Sequence, residues 1–339
     1  MSSEAMNTTS VPQQPALLLL PRIRVQNANA ISSPMTWGFP AMTAFLGMMT
    51  ALERRLGREA GIAFRSVGVI CNAFEAQVTT AGYTRAFHLT RNPVLADGST
   101  AGIVEEGRVH LELTLVFDVL LRTDKLGEAQ RQTLVDLVVH TLAGMRLAGG
   151  SVMPAPHMAR ARRVKPTLEL EAEGDANKSN QFRQLMRRCL PGFALVSRDD
   201  LLRQRLEAMQ VGNPGASTLD AWLDLSRWNH HAVPGADTTE GSPCDWQTDA
   251  RPGWTVPIPV GYAALSALHP AGTVANARDV HTPFRFVETI WSMGQWVSPH
   301  RLKTLDDLVW YAGTEGDESD VYRCCNNYAP ETMADTAIA

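Results

Sequence analysis

Between Gln26 and Pro40 the chain reads Gln-Asn-Ala-Asn-Ala-Ile-Ser-Ser-Pro-Met-Thr-Trp-Gly-Phe-Pro, crowding amides, hydroxyls and two aromatic rings into one short stretch. These residue types suit binding better than acid–base work. Asn27, Asn29, Ser32 and Ser33 offer donors and acceptors for base edges and sugar hydroxyls, and Trp37 and Phe39, on either side of Gly38, offer faces on which bases stack. A polar turn with its tryptophan tucked into the core is the competing reading of the same letters. A second candidate is Arg146-Leu147-Ala148-Gly149-Gly150-Ser151, where Gly149 and Gly150 let another backbone approach closely beside Arg146. An ordinary helix stop competes there. A third is the pair Arg183 and Arg187, one helical turn apart with Arg188 nearby, a generic phosphate-facing surface. The fourth is Arg91 with Asn92, carried on an excursion whose turn signal is Asp97-Gly98.

The flanking patterns say what must hold these residues. Leu17 to Val25 is an apolar run closed by Arg22-Ile23-Arg24-Val25, expected as a strand buried first on both faces and then on one. Met42, Phe45, Leu46, Met49, Leu52 and Leu56 recur at helical spacing, with Pro40 placed for a first turn. The polar stretch therefore lies where a strand hands over to a helix N-terminus, whose unpaired N–H groups favour an anion. Further on, Val67–Ile70, Phe74–Val78 and His110–Phe117 are expected as strands. Glu128–Leu147 reads as a helix with Leu134, Leu137, Val138, Thr141, Leu142 and Met145 on one face. Asn177–Leu190 reads as another, burying Phe182, Leu185, Met186 and Cys189. Ser197 with Asp200 suggests a capping box for a helix to Met209, and Thr218–Trp228 a short helix; Gly235–Gly253 is expected as a loop. Trp291, Trp296 and Trp310 read as core aromatics at helical spacing.

With 339 residues, 45% hydrophobic and 19% charged, the chain is globular, and a net charge of -4 argues against coating long nucleic acid by charge alone. Only four of its 31 basic residues are Lys, and Arg is the better side chain for bidentate phosphate contact. Residues 146–205 hold twelve basic against six acidic residues, whereas 306–339 hold eight acidic residues and Arg323 alone. This suggests a nucleic-acid face in the middle and a solvated or protein-contacting end. Five cysteines without C-x-x-C spacing point to a reducing, cytoplasmic setting, and Ala16–Leu20 is too short to be a secretory core or a membrane span. No H-E-x-x-H, Walker, G-x-S-x-G or G-x-G-x-x-G motif is present. His230-His231 with Cys244 and Asp245 fits no closed zinc spacing. Asp199-Asp200 and Asp306-Asp307 read as helix-start carboxylates. No catalytic set, metal or cofactor is expected.

Long strings of the chain resemble a known family. Gln26–Pro34 and Thr36–Pro40, Leu89–Pro93, Asp97–Ala101, Ile103–Arg108, Met145–Ser151 and Leu190–Arg198 are similar to the Cas-five-type (Csy-two) subunits of type I-F CRISPR surveillance complexes, of the RAMP superfamily. Pro252–Trp254, Val256–Pro259, Asn276–Asp279, Arg285–Glu288 and Ser298–Arg301 continue the likeness, which runs from Leu17 to Ala339 and is weakest at 153–175 and 234–248. The resemblance implies an α+β, modified RRM-like (ferredoxin-like) fold with a projecting β-hairpin thumb and an elaborated helical C-terminal part. The first 15 residues, rich in Ser, Thr, Gln and Pro, are expected as a disordered tail, and the resemblance divides the rest into an RNA-binding region (16–152) with the hairpin near 85–108, a variable loop (153–176) and a helical or mixed region (177–339). It implies a non-catalytic subunit that holds the 5′ handle of the guide RNA, pairs with the large subunit and abuts a Cas-seven-type backbone subunit. Target DNA is met through the assembled complex and no membrane is involved. Arg278 joins the RNA-facing candidates through its matched string. Two other functions stay open: a metal-independent precursor-RNA endoribonuclease, with His88 or His300 activating a ribose 2′-OH, and a scaffold whose arginines pair with an acidic protein.

Overall fold

The computed structural model describes residues 13–91, 94–122, 126–153, 164–233, 244–251, 253–277, 279–313 and 320–330. In chain order its elements are β1 (Gln14–Asn29), β2 (Ile31–Ser33), β3 (Thr36–Trp37), α1 (Met42–Leu56), β4 (Ile62–Ala76), β5 (Val78–Ala81), β6 (Thr84–Phe87), β7 (Leu89–Arg91), β8 (Ile103–Glu105), β9 (Arg108–Leu121), α2 (Glu128–Ala143), β10 (Arg146–Leu147) and β11 (Gly150–Met153). They continue with β12 (Thr167–Leu170), α3 (Asp175–Arg188), β13 (Phe193–Ser197), α4 (Asp199–Gly212), α5 (Thr218–Ser226), β14 (His230–Val233), β15 (Asp245–Thr248), β16 (Trp254–Ala264), β17 (Val287–Val297), α6 (Leu305–Leu308), β18 (Val309–Ala312) and β19 (Val321–Asn326). Eleven of these strands form one antiparallel sheet in the order β10-β11-β1-β9-β4-β13-β17-β16-β19-β18, with β12 also paired to β1.

The backbone of this sheet follows from β1. Every residue from Ala16 to Leu20 is buried, and side chains alternate along a strand. Leu18 and Leu20 therefore join Phe45 and Leu52 of α1 and Val138 of α2 on one face. Leu17 and Leu19 meet Phe182, Leu185 and Met186 of α3 on the other. Full burial of each such side chain stabilises by roughly 1.5–3 kcal/mol, so the two-sided apolar run fixes β1 at the centre of three layers. The helix faces expected of α1 and α3 are the buried ones.

The C-terminal part departs from its helical expectation. Pairings run β4–β13–β17–β16–β19–β18 and return from β18 to β4, where Val309 meets Gly68 and Trp310 meets Val67, so six strands close into a ring. Trp310 is fully buried and its indole N–H donates to the Leu195 carbonyl at 2.7 Å. It lies on β18, and Trp291 and Trp296 lie on β17; the aromatic spacing belongs to strands, not to a helix. Pro257 and Pro259 hid β16 from a reading of propensities, since proline cannot donate to a ladder. The strand carries them opposite Met293 and Trp291 and recovers its register across a bulge before Gly261. At Gly261 a Cβ would sit 2.1 Å from the Tyr322 carbonyl oxygen, so glycine is what lets β19 approach.

Smaller differences have local causes. β1 starts at Gln14, inside the expected tail, because its ladder with β9 begins there; residues 1–12 lie outside the described residues. β12 and the first turn of α3 occupy part of the expected 153–176 loop. The two strand pieces at 67–78 belong largely to one strand, β4, whose bulges at Phe64/Ser66 and Cys71/Ala73 break its alternation. α1 starts after Pro40, with Ala41 as its N-cap. α2 ends at Ala143, and Leu137 is exposed. Ser197 is the last residue of β13, donating its N–H to no cap but to Asn326, and Arg198 takes the N-cap position of α4. β15 falls in the expected 235–253 loop and pairs with β14. Between β4 and β9 the excursion is two ribbons, β5–β6 and β7–β8, with Asp97-Gly98 in the connection of the second.

A candidate nucleic-acid interface at the end of the first strand

Gly149 and Gly150 do not stop a helix. They belong to a hairpin, β10–β11, in which Arg146 faces Ser151 and Leu147 faces Gly150 across the two-residue turn Ala148-Gly149. Both turn residues have positive φ, 48° and 75°, the geometry whose twist matches paired strands. This hairpin packs on β1 where β1 bulges: the register with β9 slips between Val25 and Ala28, and Asn27 takes φ 57° there. The Asn27 N–H donates to Nδ1 of His110 at 3.1 Å, and the Asn29 N–H donates to the Ala148 carbonyl at 2.8 Å. A Cβ on Gly150 would meet the Ala28 nitrogen and the Gln26 oxygen at 2.6 Å, so only glycine admits this approach.

The hairpin tip separates two hollows. The first, about 300 Å³, is lined by Gln26, Asn27, Gln77, His88, Thr90, Glu106, Arg108, Arg146, Gly149 and Ser151. Arg108 donates to Oε2 of Glu106 through Nε at 3.1 Å and Nη2 at 2.9 Å. Hydrogen bonds from Arg108 and then from Thr90 hold the Glu106 carboxyl below the ordinary carboxylate range. Arg146 is exposed and, among the described residues, has no carboxylate partner. The second hollow, about 510 Å³, is lined by Asn29, Ser32, Ala148, Gly149, Tyr262, Tyr322 and the start of α1 from Pro40 to Gly47. No side chain caps the first turn of α1; the Ala44 N–H donates to the Ala41 carbonyl at 3.0 Å, and Thr43 and Ala44 of this turn line the hollow. Burial pushes the Tyr322 hydroxyl up to about 12, keeping it a neutral donor.

The far end of the polar stretch has another character. A cleft of about 560 Å³ is bordered by Trp37, Gly38, Phe39, Phe74, Phe193, Trp254 and Trp296. Trp37 is 48% exposed and Trp254 55% exposed, so Trp37 is not tucked into the core. Phe39 and Ser33 are structural instead. Phe39 stacks on Phe45 at 5.6 Å and meets the edge of Trp296 at 4.9 Å. Ser33 is buried, with its hydroxyl 2.7 Å from that of Thr36 and accepting from the Trp291 indole at 2.9 Å. Asn29 spends its amide on the turn into β2, donating to the Ile31 carbonyl and accepting the Ile31 N–H. Ser32 donates to the Phe39 carbonyl at 3.3 Å.

The remaining candidates are not gathered here. Arg183 and Arg187 are exposed on α3, which covers the opposite sheet face, and Arg183 bonds within its own helix to Ser179 and Asn180. Arg91 ends β7; Asn92 and Arg278 lie outside the described residues. His300 bonds Ser298 and lines a separate cavity with Arg301 and Lys303, away from His88. His230 stacks on Trp246 at 5.0 Å and His231 approaches Asp249 at 3.8 Å. Among the described residues no group of three or more His, Cys, Asp or Glu could hold a metal ion, and no helix is long and apolar enough to cross a membrane.

Sequence reasoning gave no site role to Gln77, Glu106, Arg108, Tyr262, Tyr322, Phe74, Phe193 or Trp254. For Glu106 and Arg108 the signal was there: two residues apart in extended chain, they share a face. The two tyrosines reach the hollow only through the strand ring, which no local pattern announced.

Known proteins resemble this chain over most of its length. The family model described as CRISPR-associated protein (Cas_Csy2) matches residues 18–324. The CRISPR-associated protein Csy2 of Pseudomonas aeruginosa (strain UCBPP-PA14) is 49% identical over 320 residues, covering 93% of this chain and 96% of that protein. Every residue that lines the two hollows lies within the matched range, and the chain belongs to the Csy2 family, subunits of type I-F CRISPR-Cas complexes.

Proposed function

We propose that this chain is a non-catalytic subunit of the cytoplasmic type I-F surveillance complex that grips the 5′ handle of the guide RNA at the end of β1. The observation that carries this reading is the hairpin tip, where Asn27, Arg146, Gly149 and Ser151 line one hollow and the uncapped start of α1 lines the next. An exposed arginine, amide side chains and the positive end of α1 form a surface suited to a bent, single-stranded RNA backbone and the bases it splays out. The fold supports the same reading. Taken alone, β1-α1-β4-β9-α2-β11 is a βαββαβ succession with sheet order β11-β1-β9-β4, a strand order that supports an RRM-like, ferredoxin-type reading. The ribbons β5–β6 and β7–β8 serve as the thumb: Tyr83, Leu89, Leu95 and Ile103 are exposed on this excursion, and a backbone subunit would cover them. The large subunit pairs elsewhere on the chain, and target DNA is read by guide pairing.

The test is co-expression with the large and backbone subunits and a repeat-spacer RNA, with sequencing of the retained RNA and its 5′ ends. One defined handle, lost in Trp37→Ala with Arg146→Ala, is the expected result; a folded complex that retains no selective RNA leaves a protein-binding scaffold. The ribonuclease reading has one supporting observation, His88 in the first hollow. His88→Ala is expected to leave the RNA 5′ ends unchanged, and accumulation of uncut precursor in that variant would assign cleavage to this chain.

A further inference from the structure

The first hollow contains a carboxylate. A site shaped only for phosphate is lined by donors, since a fixed negative charge repels the ligand. Glu106 stands among the lining residues with Arg108, Arg146 and Gly149, and Arg108 favours its ionised form through two hydrogen bonds on a single oxygen, Oε2. An ionised carboxylate only accepts and has about four lone-pair sites; the two Arg108 bonds and the one from Thr90 leave acceptor capacity for a single ligand donor. The guanidinium is likewise only partly spent: its Nη1 lies 3.9 Å from where a Cβ on Gly149 would stand, against the hairpin tip. At about 300 Å³ the hollow sits at the small end of ligand sites.

Resting on the handle-binding reading above, we infer that this hollow receives one unstacked base of the bound RNA and that Glu106 selects a base bearing an exocyclic amine over uracil. Adenine, cytosine and guanine each present an amino group that donates to a carboxylate. Uracil offers one imide N–H with a carbonyl oxygen on either side, and both oxygens face the carboxylate when that N–H does. Arg108 acts as a positioning residue, fixing the carboxylate by its fork, and Arg146 meets the adjoining phosphate.

The experiment measures binding of short synthetic single-stranded RNAs to the full chain co-purified with its partner subunits. The probes are the repeat-derived handle and a set in which each amine-bearing base is changed in turn to uracil. With the wild-type chain, uracil at one position is expected to weaken binding about tenfold, within the range for one well-placed base contact. Glu106→Gln is expected to abolish the discrimination at that position and leave every other position unchanged. Glu106→Ala serves as a second variant with the same expectation, and a thermal melt verifies that both are folded. Discrimination unaltered at every position in both variants overturns the inference while leaving handle binding intact. Equal tightening for all RNAs does the same, because it marks Glu106 as a charge beside a phosphate. A wild-type chain with no preference for the handle over an unrelated RNA overturns the handle reading and this inference together.

Discussion

The hollow beside Asn27 and the cleft beside Trp37 take opposite ends of the 26–39 segment, yet the first is lined by Gln77, Glu106, Arg108 and Arg146 and the second by Phe74, Phe193, Trp254 and Trp296. They are assembled differently as well. The polar hollow exists because two backbones approach within reach of each other at Gly150, whereas the apolar cleft exists because rings from four strands and the turn after β3 pack edge to face, as Phe193 does on Trp254 at 5.3 Å. Ser33 lies between them, tying the turn to β17 through Trp291. The lesson is that the polar side depends on one missing side chain and tolerates little there, while the apolar side distributes its stability over many contacts, each replaceable in part.

The largest effect should follow from filling the close approach. Gly150→Val places its Cβ against Ala28 and Gln26 backbone atoms that cannot rotate away, so unfolding free energy is expected to fall by about 3 kcal/mol, the upper end for overpacking. Denaturant unfolding measures this, and a loss below about 1 kcal/mol would show that the hairpin stands off β1. A smaller loss, about 1–2 kcal/mol, is expected for Ser33→Ala, which leaves the Trp291 indole N–H and the Thr36 hydroxyl without their partner. Intrinsic tryptophan emission should shift with it. If Ser33→Ala proves as costly as Gly150→Val, the contrast between the two sides collapses.

How far these sites were legible depended on whether a residue's role was local. Leu17–Leu20 could be read because an unbroken apolar run suits a strand buried on both faces, and the faces of α1 and α3 because their burial repeats near 3.6 residues. Asn27, Gly149 and Trp37 were legible as types: an amide in a bulge, a glycine at positive φ, an aromatic left in solvent. Ser33 and Phe39 carried the same letters as their exposed neighbours, and only the partners Trp291 and Trp296, some 260 residues away, made them structural. The ring of six strands was illegible for the same reason. Its closure is the β18–β4 pairing, and Pro257 and Pro259 argued locally against the strand that completes it.

A gain rather than a loss is expected at the turn itself. Ala148 holds φ 48°, which costs an L-residue with a Cβ roughly 1–2 kcal/mol, and Asn tolerates that conformation far better in a two-residue hairpin. Ala148→Asn should raise unfolding free energy by about 0.5–1 kcal/mol, keeping the carbonyl that accepts from Asn29. Handle binding should be unchanged or tighter, because the tip of the polar hollow is better pre-organised. Destabilisation would mean that the positive φ is imposed by the hairpin's docking rather than by its turn.

Acidity separates the two sides by the smallest and most selective effect. Glu106 has its folded pKa lowered, first by Arg108 and then by Thr90, so its contribution to stability is present above the unfolded carboxylate pKa and is lost as pH falls through the folded one. Glu106→Gln should remove that acid limb and nothing else, and solvent screening of so exposed a pair keeps the difference small. The titratable group bordering the apolar cleft behaves oppositely. Burial pushes the Cys71 thiol up to about 12. A raised folded pKa gives stability that is complete below the unfolded thiol pKa near 9 and declines as pH climbs toward 12. Stability profiles from pH 3 to 10, read by denaturant midpoint, should therefore show Glu106→Gln altering only the acid side and Cys71→Ala flattening only the alkaline side beyond its constant offset. An acid-side change in Cys71→Ala would mean that the two clefts are electrostatically coupled, and would require treating them as one site.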